Sequence, residues 1–93
     1  MIYQQLENAL AQLQEARTRY EFELEGMPDG KLVHVKAADG ERYYVEVRDG
    51  ERPSRRGITR RPDLVATFAR KEYLRKALAV IDHDVRTLER AVR

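Results

Sequence analysis

Nine basic side chains crowd the stretch from residue 52 to residue 76: Arg52, Arg55, Arg56, Arg60, Arg61, Arg70, Lys71, Arg75 and Lys76. Only Asp63 and Glu72 oppose them, so this stretch is net +7 in a chain that is net +2 overall. The part from 52 to 61 has five Arg and no Lys. A guanidinium fork donates two parallel hydrogen bonds to a phosphate or a carboxylate, which an ammonium cannot do. The chemistry implied is the capture of phosphates or of an acidic protein surface. Residues 1–30 have the opposite balance, net −4, and an acidic first segment can neutralise part of the patch internally.

Other residue types offer less. Asp82-His83-Asp84 has metal-ligand chemistry, but neighbours on a helix point about 100° apart and cannot converge on one ion. Asp82 fits an i, i+4 ion pair with Arg86. His34 falls on a polar strand face with Lys36 and Tyr44, where Glu46 is the nearest acid across the hairpin, and no nucleophile accompanies it. The one serine, Ser54, lies among the arginines. Gly40, Gly50 and Gly57 are spaced as turn residues rather than as a phosphate-binding loop. Cysteine is absent, which excludes disulfides, thiolate metal sites and cysteine nucleophiles. No catalytic residue, metal site or cofactor is expected, and the chain reads as non-enzymatic. Tyr44 differs from these: an aromatic ring among Arg42, Lys36 and His34 suits stacking and phosphate contact, although cross-strand packing uses the same pairing. The candidate binding residues are therefore Arg52, Arg55, Arg56, Arg60 and Arg61, with Lys36 and Tyr44 from the sheet and Arg70 and Lys71 from the following helix.

Two helices frame these residues. Ile2, Leu6, Ala9, Leu13, Ala16 and Tyr20 step by four and three, and so do Leu74, Leu78, Ile81, Val85, Leu88 and Val92. Such spacing makes one apolar seam per helix, which must be buried against a partner. The helices are placed at about 2–22 and 62–92, with Pro62-Asp63 opening the second. Gly26, Pro28 and Gly30 end the first. Between them Lys31–Ala37 and Glu41–Arg48 alternate as strands around Asp39-Gly40. A bulged loop with Gly40 left-handed is the expected turn, because it aligns Val33, Val35, Tyr43, Val45 and Val47 on one face and His34, Lys36, Arg42, Tyr44 and Glu46 on the other. Asp49-Gly50 leads into a third strand over about 51–58, held to an edge by Pro53. Leu64, Val65, Phe68 and Ala69 then suit the apolar sheet face.

The predicted fold is α+β. Two long antiparallel helices form a coiled-coil-like hairpin with a small three-stranded antiparallel β-meander between them, in a single domain over 1–93. No apolar run approaches the roughly 20 residues of a membrane span. No basic segment followed by an apolar one marks the N-terminus for export, so no membrane contact and a cytoplasmic location are expected.

The order of helix, Met-Pro-Asp-Gly-Lys-Leu, hairpin with Tyr43-Tyr44, and Ala69-Arg70-Lys71-Glu72-Tyr73-Leu74 resembles an uncharacterised N-terminal module of bacterial and phage or mobile-element proteins. Those read Leu-Pro-Glu-Gly at the first turn, Tyr-Tyr in the second strand and Ala-Arg-Lys-x-Tyr-Leu in the helix, over what would be residues 20–80 here. Some longer members of that group carry a nuclease-like domain after the module, which a stretch ending at Arg93 is expected to lack. The pattern of a helix-flanked three-stranded sheet is also similar to the arm-binding domains of tyrosine integrases, which place the sheet in DNA; fold alone does not fix function. The expected partner is thus nucleic acid, or a nucleic-acid-processing complex. The alternatives are an acidic protein surface, as for a phage-encoded inhibitor of a host defence nuclease (anti-CRISPR-like), or a self-associating helical scaffold. The chain is expected to be a monomer or a homodimer through its helices.

Overall fold

A computed structural model describes residues 2–50 and 52–92. The order is α1 (Ile2–Glu25), β1 (Lys31–Ala37), β2 (Gly40–Asp49), β3 (Arg52–Gly57) and α2 (Pro62–Val92). The two long helices and the antiparallel meander between them are the predicted architecture. α1 runs one turn past Phe22, because Glu23, Leu24 and Glu25 are good helix formers and the stop comes only at Gly26 and Pro28. Glu51, read as the start of the third strand, lies outside the described residues. Contacts gather into two compact units, one of Met1–Gly26 with Leu74–Arg93 and one of Met27–Tyr73.

In the helical unit, α1 pairs with the second half of α2, and Arg17 Nη1 donates to Asp82 Oδ1 at 3.4 Å. Asp82 therefore takes an arginine of α1 rather than Arg86 of its own helix. The seam is unequal. Leu74, Ile81 and Val85 are buried, with Leu78, Leu88 and Val92 half-buried. α1 has no buried residue: Leu6, Ala9, Leu13, Ala16 and Tyr20 are half-covered. Ile2 is 75% exposed, so it does not belong to the working seam. Two helices alone cannot enclose a core, and small Ala9 and Ala16 contribute little area to it.

The sheet unit has strand order β1-β2-β3. Its core is Val45, Ile58 and Phe68, with Leu32, Tyr43, Val47, Leu64 and Val65 packed around it. Pro62 opens α2 where a missing N–H costs nothing, and the Val65 N–H donates to the Arg61 carbonyl at 3.0 Å. Gly30, at φ +130°, lies close against the core: a Cβ there would meet Val45 Cγ1 at 2.5 Å.

The hairpin register differs from the expected one. Ala37 pairs with Gly40, Val35 with Arg42, His34 with Tyr43, Val33 with Tyr44 and Leu32 with Val45. The loop is Ala38-Asp39, both at negative φ, and Gly40 takes the positive φ, +138°. Leu32 rather than Val33 therefore faces α2, and His34 and Lys36 share that face with Tyr43, Val45 and Val47. Val33 and Val35 lie on the other face with Arg42, Tyr44 and Glu46. A one-residue slip moves every side chain of a strand across the sheet. β1 has apolar residues on both faces, so hydrophobic pattern alone does not choose between the two registers; the loop geometry does.

Candidate nucleic-acid interface

The sheet face away from α2 is covered by no helix of its own unit. Across it run aligned rows: Val33, Tyr44 and Gly57; Lys31, Glu46 and Arg55; Arg48 and Pro53; Val35 and Arg42. Val35 is 39% exposed, Tyr44 is half-buried, and Arg42, Arg48 and Arg55 are exposed. Apolar and aromatic surface in the middle is thus ringed by cations, with Glu46 as the one acid in these rows. Arg55 Nε reaches Glu46 Oε2 at 3.5 Å, and Arg42 donates to Asp39 Oδ2 at 2.9 Å. That bond with Asp39, and next the Tyr44 hydroxyl, hold the Arg42 guanidinium above its ordinary pKa. The Arg42–Asp39 pair is solvent-exposed and the Arg55–Glu46 pair partly so, which makes them cheap to exchange for a ligand's anion.

Strand alternation divides the expected arginine patch. Arg55 belongs to the open face, while Arg52 and Arg56 pair with Asp49 and Val45 and so project on the α2 side. Arg60 lies in the turn after β3, and Arg61 sits just before α2. Arg61 grips Asp63 through Nε at 3.3 Å and Nη2 at 3.2 Å. Among the described residues no carboxylate pairs with Arg56 or Arg60.

Three assignments need correction. Lys71 is 5% exposed; its Nζ donates to the Pro28 carbonyl at 2.8 Å and lies 5.9 Å from the Phe68 ring centre. It ties the α1–β1 connection to α2 and is no surface cation. Lys36 is exposed but on the opposite face from Tyr44. Gly57 is a strand residue beneath the Tyr44 ring rather than a turn residue. Arg70 is exposed, with its guanidinium 5.2 Å from the Tyr73 ring centre.

His34 also changes surroundings. Its ring stacks on Tyr43 at 4.7 Å and 9°, and its Nε2 is 3.5 Å from Glu41 Oε1 rather than near Glu46. Glu41 also accepts from the Tyr43 hydroxyl at 3.2 Å, and its charge, first among the causes, holds the Tyr43 phenol above its ordinary pKa. This cluster closes the hairpin end of the sheet. The residues that sequence reasoning missed are Arg48, Val33, Val35 and Gly57. For Val33 and Val35 the signal lay at Asp39-Gly40, since reading Ala38-Asp39 as the loop places both on the face of Tyr44; Arg48 reaches that face by alternation along β2, and Gly57 by pairing with Tyr44 across β2–β3.

Among the described residues, no group of three or more His, Asp or Glu could hold a metal ion, and no helix is long and apolar enough to cross a membrane. Comparison with protein-family models, with curated proteins and with solved structures found no match.

Proposed function

We propose that this chain is a small binding module, without chemistry of its own, that engages nucleic acid or a nucleic-acid-processing complex through the open sheet face. The observation that carries the reading is the set of exposed cations Arg42, Arg48 and Arg55 around Tyr44, extended by Arg60 in the adjoining turn. Guanidiniums neutralise phosphates, and the aromatic centre gives bases a surface to stack on. The measurement is fluorescence anisotropy with short labelled DNA and RNA over a salt series. Affinity is expected to fall steeply with salt, and replacing Arg42, Arg48, Arg55 and Arg60 by Ala is expected to flatten that dependence. Replacing Arg86 and Arg90 on α2 is expected to change little. No binding at low salt to any nucleic acid rejects the reading.

A second reading, docking of an acidic protein segment, is favoured by a hollow of about 630 Å³ lined by Val45, Val47, Leu64 and Phe68 and by Arg48, Arg55 and Arg56, with Asp29 as its one acid. Such a hollow suits an apolar side chain flanked by carboxylates. An acidic peptide with one central aromatic residue, outcompeting the oligonucleotide at moderate salt, would replace the first reading by this one.

A further inference from the structure

A second hollow, of about 590 Å³, opens at the end of the sheet where the β1–β2 loop and the β3–α2 turn meet. Arg42, Tyr44, Gly57, Arg60 and Arg61 line it, together with Glu41 and Asp39. Three arginines therefore line a space with one aromatic wall. Asp39 is engaged by Arg42, and Asp63 holds Arg61 from outside the lining. The space is within the range of ligand pockets, about 300–1,000 Å³.

Gly57 lies beside the wall. Its φ is not positive, so the backbone does not require glycine there. A Cβ at Gly57 would meet Tyr44 Cε1 and Cδ1 at 3.9 and 4.0 Å. The Tyr44 ring lies against the strand at a place kept free of a side chain. A glycine in a strand interior weakens the strand and marks the close approach of another group. Here the neighbouring group is the half-buried Tyr44 ring, at van der Waals distance from where a Gly57 side chain would begin, and Val33 pairs with Tyr44 from β1.

Resting on the nucleic-acid reading, we infer that this hollow accepts one unpaired nucleotide, its base stacked on Tyr44 and its phosphates held by Arg42, Arg60 and Arg61. The module would then select single-stranded over duplex nucleic acid. The argument is steric. The π-face of a base is accessible only when the base is unpaired or splayed out. A ring lying low in a concave site cannot reach a base edge in a duplex groove, which is read by elements that protrude. Arg60, which has no carboxylate partner among the described residues, binds phosphate without first breaking an ion pair. Arg42 and Arg61 exchange exposed carboxylates for it.

The test uses the full chain and labelled oligonucleotides of about 12 residues: single-stranded DNA, single-stranded RNA and a DNA duplex. Tyr44→Leu is expected to lower single-strand affinity roughly tenfold, and Tyr44→Phe to retain it. Gly57→Val, which leaves Tyr44 in place but pushes its ring off the strand, is expected to give a similar loss, while Gly57→Ala is tolerated. Arg60→Ala is expected to reduce the logarithmic salt slope by about 0.7, one phosphate of a single strand. Duplex affinity is expected to be lower throughout and unmoved by the Tyr44 and Gly57 changes. The DNA and RNA arms decide which strand chemistry is preferred. Melting curves for each variant separate lost binding from lost fold, and Arg60→Ala, on an exposed turn, keeps the question open to refutation if the ring variants unfold. Duplex bound as tightly as single strand, or unchanged single-strand affinity in folded Tyr44→Leu and Gly57→Val proteins, overturns the inference and leaves the phosphate-binding reading standing. Absence of all binding at low salt overturns both.

Discussion

The helical unit and the sheet unit are stabilised by the same force in different ways. In the helical unit Leu74, Ile81 and Val85 are buried from one helix only, and nothing on α1 is fully covered. In the sheet unit Val45, Ile58 and Phe68 come from β2, the β3–α2 turn and α2, and they enclose one another. Polar groups also differ. In the helical unit an ion pair spans the seam, Arg17 with Asp82 at 3.4 Å. The sheet unit buries Lys71 on a backbone carbonyl and sets its remaining cations on the surface. The difference is one of enclosure: the sheet core is covered from three elements, whereas the two-helix seam is covered from one side.

The largest effect expected is in that enclosed core. Phe68→Ala removes a ring 4% exposed and should cost about 3–5 kcal/mol. Leu13→Ala in α1 removes a half-covered side chain and should cost about 1 kcal/mol. Urea denaturation followed by circular dichroism compares the two. Equal costs would mean that α1 is as firmly packed as the sheet core, and the contrast between the units would fail.

Within the sheet unit, Gly30 and Gly40 sharpen the same point. Both have positive φ, so alanine at either carries backbone strain of about 1–3 kcal/mol. At Gly30 the new Cβ also lands 2.5 Å from Val45 Cγ1, whereas at Gly40 nothing lies within 4 Å. Overpacking adds about 1–3 kcal/mol at Gly30 alone. Thermal melts should therefore rank Gly30→Ala well below Gly40→Ala. Similar melting temperatures would show that the connection from α1 yields and does not press on the core.

These contrasts also explain what could be read from the sequence. The helix seams were legible because a period near 3.5 has one solution: Leu74, Ile81 and Val85 lie where their spacing puts them. Pro62 gave the start of α2 and Pro53 the edge position of β3, since each acts through a missing N–H. The hairpin register was not legible from hydrophobicity, because Leu32, Val33 and Val35 offer apolar residues to both faces and only the loop at Ala38-Asp39 decides. With the register went the β1 part of the open face, and with it the place of Lys36. The burial of Lys71 was hidden for another reason. Its partner is the Pro28 carbonyl, and a backbone group leaves no mark in a side-chain pattern.

The smallest effect tests the rim of the arginine surface. Asp63 has its pKa below the ordinary aspartate value of 3.8, first because Arg61 donates to it and then, against the cost of desolvation, because the Leu64 N–H at the start of α2 does so as well. A carboxylate lowered in the folded state takes up its proton later than in the unfolded chain. Its stabilisation is therefore complete above the ordinary value and lost as pH falls through the lowered one. Asp63→Asn should melt slightly below the parent at neutral pH, and the gap should close in acid. It should also shrink at high salt, because the pair is fully exposed. A gap that persists in acid would show that Asp63 acts through packing or helix geometry rather than charge. The same substitution frees Arg61, so oligonucleotide affinity is expected to rise a few-fold while stability falls. That opposite movement separates an arginine kept for a ligand from one kept for its neighbour: if affinity falls together with stability, Arg61 belongs to the helix start and only Arg42 and Arg60 remain to hold phosphate.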